Sequence, residues 1–418
     1  MKRIGTGNRS LFTRRARLVV LLSLVAAITL AGCAGRQGVG ASESWSGLAT
    51  QPGSDTAFVG TRDGRVIELL LDDRNGRIVP RQGAIFDAND RDEGGNRVDA
   101  AFYGTPTIAG DRVYVGSYQG FVYSLAGSDS PQATLTDIGA FEIDGDNLAK
   151  GISGDVIYTD GLLVVAAAED TDKGRLYVLK ADQLDLNTGA SRIEQCRYPA
   201  GHEEGVGRMW TTPLVLDGIA YFGDLDHRVH AVDIANCQPV WDQPAELGGS
   251  VVATPVALNG KLYVGAFDRS LYAIDIATGA ASKQFEGNRW FWANPATDGK
   301  LIYAPNLDGL LYAYDPAFGS SDGVVWKYDQ EGDSDQLLAP PVVVDGRIVL
   351  GSDSGVVTLL DSNGDRLRSI SKSSDSIRAT LTVSGNTVYV RSLDEVITAY
   401  RVDGDNLDED WEFEIEGF

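Results

Sequence analysis

The feature that most constrains this chain is a short repeat that recurs along most of its 418 residues. Each copy contains a short apolar strand, an anchor position that is usually glycine, a tight turn and a second strand. Seven clear copies and a looser eighth with an insertion are Phe58–Ile67, Tyr114–Tyr123, Tyr221–His230, Tyr263–Tyr272, Tyr303–Tyr312, Val349–Thr358, Tyr389–Thr398 and Leu163–Leu179. A chain of related units must bury the faces of each unit against its neighbours.

A proline at a fixed distance from the anchor position, which we call the proline mark, recurs through the repeats and supports their alignment. In five units a proline stands ten residues before the anchor position, and these prolines are Pro106, Pro213, Pro255, Pro295 and Pro341. Leu381 keeps the same spacing to the anchor position Arg391. Asp-Gly and Asn-Gly pairs between the marks, such as Asp217-Gly218, favour tight hairpins. Each unit is therefore predicted to be a meander of four short strands.

The repeat period of about 40 to 56 residues is typical of a β-propeller, in which closure of the ring removes exposed sheet edges. The sequence thus predicts an all-β, eight-bladed β-propeller of four-stranded antiparallel blades over residues 45–418. A linear array would need end caps, and no cap-like helix is apparent. We expect a single monomeric propeller.

The first 32 residues have the form of a cleaved secretory signal peptide. Six Lys and Arg residues and no acidic residue precede or flank the apolar run Leu18–Ala31, which is too short to span a bilayer comfortably. Leu30-Ala31-Gly32-Cys33 resembles the lipobox of bacterial lipoproteins, which implies that Cys33 becomes the acylated first residue, carrying chains such as palmitate. Residues 33–44 are small and polar, and are predicted to be a flexible tether.

The best-preserved repeat runs from Tyr263 to Gly279, and the stretch from Tyr221 to Trp241 follows the same pattern. The pattern is strand-Gly-x-x-Asp-Gly-x-Leu-Tyr-Ala-x-Asp-x-x-Thr-Gly-x-x-x-Trp. It resembles the PQQ-like, or quinoprotein-type, repeat, and with the lipobox it resembles the BamB family of outer-membrane β-barrel assembly lipoproteins over residues 45–418. The resemblance implies that Trp241, Trp326 and Trp411 pack one blade on the next.

The formal net charge of −23 becomes −29 when the basic leader is removed. An acidic body repels phosphate backbones and anionic headgroups, so nucleic-acid binding is not expected. Membrane contact is therefore expected through the lipid anchor.

Cys196 and Cys237 are left as a possible disulfide pair in an oxidising compartment, and two separate free thiols are the alternative. Neither cysteine has metal-ligand spacing. His227 and His230 lie on a predicted strand, where side chains three residues apart face opposite sides. No metal site is predicted.

Quinoprotein dehydrogenases share this repeat, so an enzyme of that class is one interpretation of the sequence. Their cofactor pocket uses an adjacent-cysteine disulfide, a tryptophan platform, calcium-binding acids and a catalytic aspartate. This chain has no Cys-Cys pair, and its recurring aspartates, such as Asp268 and Asp308, occupy turn positions. We predict no enzymatic activity, no catalytic residue and no PQQ or other cofactor.

In a propeller the loop that leads into the inner strand of each blade lies at one mouth of the central channel. The residues ahead of the proline marks are therefore candidates for a partner-binding mouth: Phe102, Tyr103, Met209, Trp210, Trp290, Phe291, Trp292, Leu337, Leu338 and Arg378. An exposed patch of this kind favours protein binding. The alternative is that these side chains fold inward and plug the channel.

The sequence and the resemblance together predict a membrane-anchored extracytoplasmic lipoprotein that binds a protein partner, and the resemblance implies a β-barrel assembly protein. A stand-alone ligand-binding or sensor propeller is the alternative, and a quinoprotein-like enzyme is third. Ala34 lacks the Asp that retains many lipoproteins at the inner membrane. This predicts the outer membrane, facing the periplasm, in a two-membrane bacterium, and otherwise the outer face of the cytoplasmic membrane. Longer connections at 86–99, 127–150 and 180–209 are further candidates for specificity.

Overall fold

The computed structural model describes residues 45–51, 53–73, 78–88, 100–126, 135–144, 150–186, 189–201, 206–318, 323–330, 335–371 and 375–415. These residues form eight antiparallel sheets, each built from consecutive strands. The predicted eight-bladed propeller with four-stranded blades is confirmed. Two blades carry an additional two-residue strand.

The first four blades contain the following strands. Blade 1 has β1 (Leu48–Thr50), β2 (Thr56–Gly60), β3 (Arg65–Asp73) and β4 (Ile78–Asp87); blade 2 has β5 (Thr107–Ala109), β6 (Arg112–Gly116), β7 (Phe121–Ala126) and β8 (Thr136–Glu142). Blade 3 has β9 (Ile157–Thr159), β10 (Leu162–Ala168), β11 (Lys173–Lys180), β12 (Glu194–Tyr198) and β13 (Val206–Gly207); blade 4 has β14 (Leu214–Leu216), β15 (Ile219–Gly223), β16 (Arg228–Asp233), β17 (Gln238–Pro239) and β18 (Ala245–Glu246).

The second four blades are more regular. Blade 5 has β19 (Val256–Leu258), β20 (Lys261–Gly265), β21 (Ser270–Asp275) and β22 (Ala281–Glu286); blade 6 has β23 (Ala296–Thr297), β24 (Ile302–Pro305), β25 (Leu310–Tyr314) and β26 (Val324–Asp329). Blade 7 has β27 (Val342–Val344), β28 (Arg347–Gly351), β29 (Val356–Leu360) and β30 (Arg366–Ser371); blade 8 has β31 (Thr382–Ser384), β32 (Thr387–Arg391), β33 (Val396–Asp403) and β34 (Asn406–Glu414).

The core lies between the blades. Side chains alternate along each strand, so every blade buries one face against the blade before it and the other against the blade after it. Each of the eight blade-to-blade interfaces contains a cluster of buried apolar residues within the described parts of the chain. At the last interface, Ile397 and Trp411 of blade 8 pack with Ile67 of blade 1.

The anchor glycine of the repeat has a packing role. A Cβ atom built on Gly265 would lie 2.2 Å from Phe291 Cβ, and one built on Gly60 would lie 2.6 Å from Phe102 Cβ. Real side chains do not approach this closely, so the loop leading into the next blade can pack only where the anchor position has no side chain.

The predicted role of the inter-blade tryptophans is confirmed for two of them by specific contacts. Trp241 Nε1 donates to Ile276 O (2.9 Å) and its ring lies against Gly279 of blade 5. Trp326 Nε1 donates to Ser362 O (3.1 Å) of blade 7. Trp411 is buried in the cluster that joins blades 8 and 1.

The connection between the third and fourth strands of blade 3 packs on blade 2. Helices α1 (Ala181–Asp185) and α2 (Ala190–Ile193) connect β11 to β12. Leu184 and Ile193 are fully buried in the cluster shared by blades 2 and 3. Tyr114 and Ser124 of blade 2 both donate to Asp185 Oδ1, at 3.2 and 2.5 Å. This part of the 180–209 connection thus packs on the neighbouring blade.

A disulfide joins blades 3 and 4. The sulfur atoms of Cys196, in β12, and Cys237, in the turn before β17, are bonded, and the Cα atoms lie 5.8 Å apart. This separation is within the range that disulfides adopt. Residues 41 apart in the chain are linked, so the bond holds two separate blades together.

The ring closes without strand exchange. Blade 1 consists of strands β1 to β4 and blade 8 of strands β31 to β34, so the seam between them is formed by side chains and their contacts with main-chain carbonyls. The buried Arg391 guanidinium donates to Ser46 O (2.9 Å) and Gly60 O (2.6 Å) of blade 1. It also forms a buried ion pair with Glu395.

Candidate functional site

One end of the channel is formed by the loops that lead into the inner strands and by the turns between the second and third strands. These segments are hydrogen-bonded to each other at successive blades: Phe102 N donates to Thr61 O (3.0 Å), and Ile377 N donates to Ser352 O (3.0 Å). Because the pattern repeats with the blades, all these loops lie at the same end. We call this end the mouth.

A belt of polar residues lies at the base of the mouth, immediately before the inner strands. Thr105 N donates to Asp155 Oδ1 (2.7 Å), and Asp155 N donates to Thr212 Oγ1 (2.8 Å). Thr254 Oγ1 donates to Thr212 O (2.9 Å), and Thr254 N donates to Asn294 Oδ1 (2.6 Å). The belt joins blades 2 to 6 through hydrogen bonds, which ties the mouth loops to a rigid base.

Asp155 is the acidic member of this belt. Burial raises its pKa to about 6, against the opposing effect of the hydrogen bond from the Thr105 main chain. Desolvation disfavours the charged carboxylate, which is the usual reason for such a shift.

Six half-buried aromatic side chains form a continuous line over the mouth, and we call them the aromatic band. In order of contact they are Tyr118, Tyr103, Trp45, Trp292, Phe267 and Trp290. Phe267 stacks on Trp290 with ring centroids 4.8 Å apart and on Trp292 at 5.5 Å. Tyr103 and Tyr118 meet edge to face at 5.1 Å. All these distances are in the range of favourable aromatic pairs.

Trp45 connects the two halves of the band. Its ring lies 5.7 Å from Tyr103 of blade 2 and 6.2 Å from Trp292 of blade 6, edge to face in both cases. Trp45 itself precedes the first strand of blade 1, and blades 1 and 6 are not neighbours. The contact with Trp292 therefore crosses the channel opening. The indole Nε1 of Trp45 is buried and has no hydrogen-bond partner in the described part of the chain.

The structure divides the predicted mouth residues into two groups. Tyr103, Trp210, Trp290, Trp292, Leu338 and Arg378 are half-buried at the mouth. Phe102, Met209, Phe291 and Leu337 are buried, with at most 1 % exposure, and pack one blade on the next. The side chains of these four residues therefore belong to the core between the blades and are not available to a partner.

Arg378 has polar neighbours that set it apart from the aromatic band. Its Nη2 lies 3.3 Å from Asp353 Oδ1, and its Nε donates to Ser376 Oγ (3.0 Å). The mouth therefore has aromatic residues at blades 1, 2, 5 and 6 and a polar group at blades 7 and 8.

Sequence reasoning missed Trp45, Tyr118 and Phe267. Tyr118 and Phe267 hold the same turn position, two residues after the anchor glycines Gly116 and Gly265. That turn is hydrogen-bonded to the mouth loop of its own blade, as when Phe267 N donates to Ser250 O (3.0 Å). The register of the repeat was a sufficient signal for both residues. Trp45 holds the position before blade 1 that Tyr103 holds in the loop before blade 2.

Several predictions fall outside the described residues. These are the signal peptide (1–32), Cys33, the tether to residue 44, and much of the connections at 86–99 and 127–150. Among the described residues, no group of three or more His, Cys, Asp and Glu side chains is placed to hold a metal ion. No helix in the same residues is long and apolar enough to cross a membrane.

A cavity of about 130 Å³ lies between blades 7 and 8, where its polar lining includes Ser392, Asp394, Thr398 and Glu412. Sites for drug-sized ligands usually have about 300 Å³ or more. Thr398 holds the repeat position of Tyr272 and Tyr312 in blades 5 and 6, so a smaller side chain explains the space.

A family model described as outer membrane protein assembly factor BamB matches residues 147–321 and 307–417. The crystal structure of BamB from Moraxella catarrhalis is similar to this chain, with a TM-score of 0.61 and 21% identity, over 85% of this chain and 94% of that one. The computationally designed Ika8 protein is also similar, with a TM-score of 0.63 and 14% identity, over 88% and 98% of the two chains. At these identities the structural likeness shows the fold alone. No curated protein sequence matches the chain.

Proposed function

Because this chain belongs to the family of the outer membrane protein assembly factor BamB, we propose that it is a membrane-anchored scaffold that binds a protein partner through its mouth. The observation that carries the proposal is the aromatic band. Trp and Tyr side chains of this kind dominate the binding energy of many protein interfaces. The polar belt holds the band on a rigid base, which lowers the entropic cost of binding.

The partner we propose is a β-barrel assembly protein of the outer membrane. The family name supports this class of partner, and the aromatic band supplies a surface for it. We assign no enzymatic activity and no cofactor to the chain, because the proposed role needs only binding. The cavity between blades 7 and 8 is small, and a second pocket of about 380 Å³ at the turns of blades 5 and 6 is lined by exposed residues such as Asn259, Lys261 and Lys300. Both give less support to a ligand-binding role than the aromatic band gives to protein binding.

The proposed anchor is lipid on Cys33, followed by the tether of residues 33–44. In a bacterium with two membranes the protein would then face the periplasm from the outer membrane. In a bacterium with one membrane it would lie on the outer face of that membrane. We propose that the propeller acts as a monomer.

An affinity pull-down of the membrane-extracted, acylated protein tests the scaffold proposal. The test variant carries Trp210→Ala, Trp290→Ala and Trp292→Ala, and we expect a β-barrel assembly protein to co-purify with wild type and to be lost from the variant. The matched control is Phe318→Ala. Phe318 is 65 % exposed and lies in a turn between the third and fourth strands of blade 6, at the end opposite the mouth. The control should keep the partner.

Thermal unfolding of all three proteins shows whether the propeller remains folded. If a folded triple variant keeps the partner at the wild-type level, or if wild type captures no β-barrel assembly protein, the proposal is wrong.

A further inference from the structure

The aromatic band contains a place for one aromatic ring between Tyr103 and Trp292. In this structure the ring of Trp45 fills that place, with edge-to-face contacts on both sides at 5.7 and 6.2 Å. Edge-to-face contact is a favourable arrangement that does not require a polar atom on the inserted ring.

The place fits an indole incompletely. Trp45 Nε1 is buried without a hydrogen-bond partner in the described residues, although a buried indole N–H is normally paired. A phenyl ring in the same place would leave no donor unsatisfied. The chemistry of the place therefore favours phenylalanine over the tryptophan that fills it.

The chain is fixed immediately after Trp45. Ser46 O accepts from Arg391 Nη1 (2.9 Å), and Ser46 Oγ accepts from Gly60 N (3.1 Å). Gly47 N donates to Thr105 Oγ1 (3.1 Å) of the polar belt. Movement of the Trp45 side chain out of the band would therefore leave β1 and the seam between blades 8 and 1 in place.

We infer that the site between Tyr103 and Trp292 binds a phenylalanine side chain of the partner protein, and that Trp45 occupies this site in the free protein. The inference rests on the proposed function for the identity of the partner and on the geometry above for the site. Trp45 acts as an internal competitor. Only the molecules in which Trp45 has left the site can bind the phenylalanine side chain, so the apparent affinity for the partner is lower than the affinity of the open site.

The first test needs no partner. The probe is 4-fluorotoluene, which mimics the phenylalanine side chain, and binding is measured by broadening of its ¹⁹F NMR signal. Trp45→Ala should broaden the signal, whereas wild type and the double variant Trp45→Ala/Trp292→Ala should not. Trp210→Ala removes a mouth tryptophan outside the aromatic band and should leave the probe unbound.

Thermal unfolding accompanies this test. Trp45→Phe should unfold at the wild-type temperature or above it, because it removes the unsatisfied N–H and keeps the ring contacts. If folded Trp45→Ala does not bind the probe, or if Trp45→Phe is clearly less stable than wild type, the inferred site is wrong.

The second test uses the pull-down of the scaffold proposal. Trp45→Ala should retain about fivefold or more of the partner relative to wild type, because the internal competitor is absent. Partner capture that does not increase contradicts the inference, even when the scaffold function holds. Probe binding to Trp45→Ala with no partner captured by any variant would contradict the scaffold function and leave the aromatic site standing.

Discussion

At the scale of single residues, Asp155 is the member of the polar belt whose burial lowers the stability of the folded protein when its carboxyl is charged. Thr105, Thr212, Thr254 and Asn294 satisfy the belt with uncharged side chains, whereas Asp155 does so with a buried carboxyl. Because burial raises its pKa to about 6, the folded protein binds a proton more tightly than the unfolded chain. Stability is therefore lost as the pH rises from about 4 through 6.

Asp155→Asn keeps the oxygen that accepts from Thr105 N and removes the charge. We expect the variant to match wild type at and below about pH 4 and to exceed its stability by about 1–3 kcal/mol at pH 7.5. Thermal unfolding of both proteins between pH 4 and 8 measures the difference. The exposed Asp365→Asn is the control and should show no such pH-dependent gain. Equal stability of Asp155→Asn and wild type at pH 7.5 would contradict the role of charge burial.

At the scale of elements, two residues of blade 8 that differ from the repeat consensus, Arg391 and Glu395, interact with each other. Arg391 holds the anchor position that is glycine in most blades, and Glu395 holds the turn position of Gly64, Gly120 and Gly309. Glu395 adopts a φ of 66°, in the left-handed region that favours glycine. The two residues form the buried ion pair at the seam, and Arg391 also binds two carbonyl oxygens of blade 1.

Removing one partner of a buried ion pair leaves an uncompensated charge, so Arg391→Ala and Glu395→Ala should each cost about 3–5 kcal/mol of unfolding free energy. The double variant Arg391→Ala/Glu395→Ala should cost less than the sum of the two single changes, because each single change leaves the partner's charge buried and unpaired. Denaturant unfolding measures all three. The exposed pair Arg269 and Glu286 gives the control, because Arg269→Ala should change stability by about 0.5 kcal/mol or less. Fully additive effects at the seam would show that the pair is not coupled.

At the scale of the whole molecule, the ring closes by side-chain packing between blades 1 and 8. Neither of these blades contributes a strand to the other. The chain enters the ring at Trp45, on the mouth, and Cys33 lies 12 residues before Trp45 in the sequence. If Cys33 is acylated, it attaches the propeller to a membrane without any membrane-spanning helix.

Cys33→Ser should move the protein from the membrane fraction to the soluble extracytoplasmic fraction and abolish incorporation of labelled palmitate. Cys196→Ser is the matched control, since it removes a cysteine of the disulfide and should keep both the label and the membrane location. Cell fractionation with metabolic labelling makes the comparison. Labelled palmitate on Cys33→Ser would show that Cys33 is not the anchor.

The sequence by itself determined the blade count, the strand number and the all-β class. Turn residues such as Asp217-Gly218 and the alternation of strand side chains act over a few residues, so each repeat specifies a local structure without reference to the rest of the chain. The anchor glycines and the proline marks then showed that eight such structures share one register.

Only the tertiary structure decided which of two adjacent mouth residues, such as Phe291 and Trp292, is buried. Alternation predicts that Phe291 and Trp292 point in opposite directions, but the direction is set by Gly265 of the preceding blade, whose missing side chain leaves room for Phe291. The same holds for contacts between distant residues: Arg391 with Ser46, 345 positions apart, and Trp45 with Trp292. These contacts depend on ring closure, which brings the first and last blades together and which no local pattern encodes.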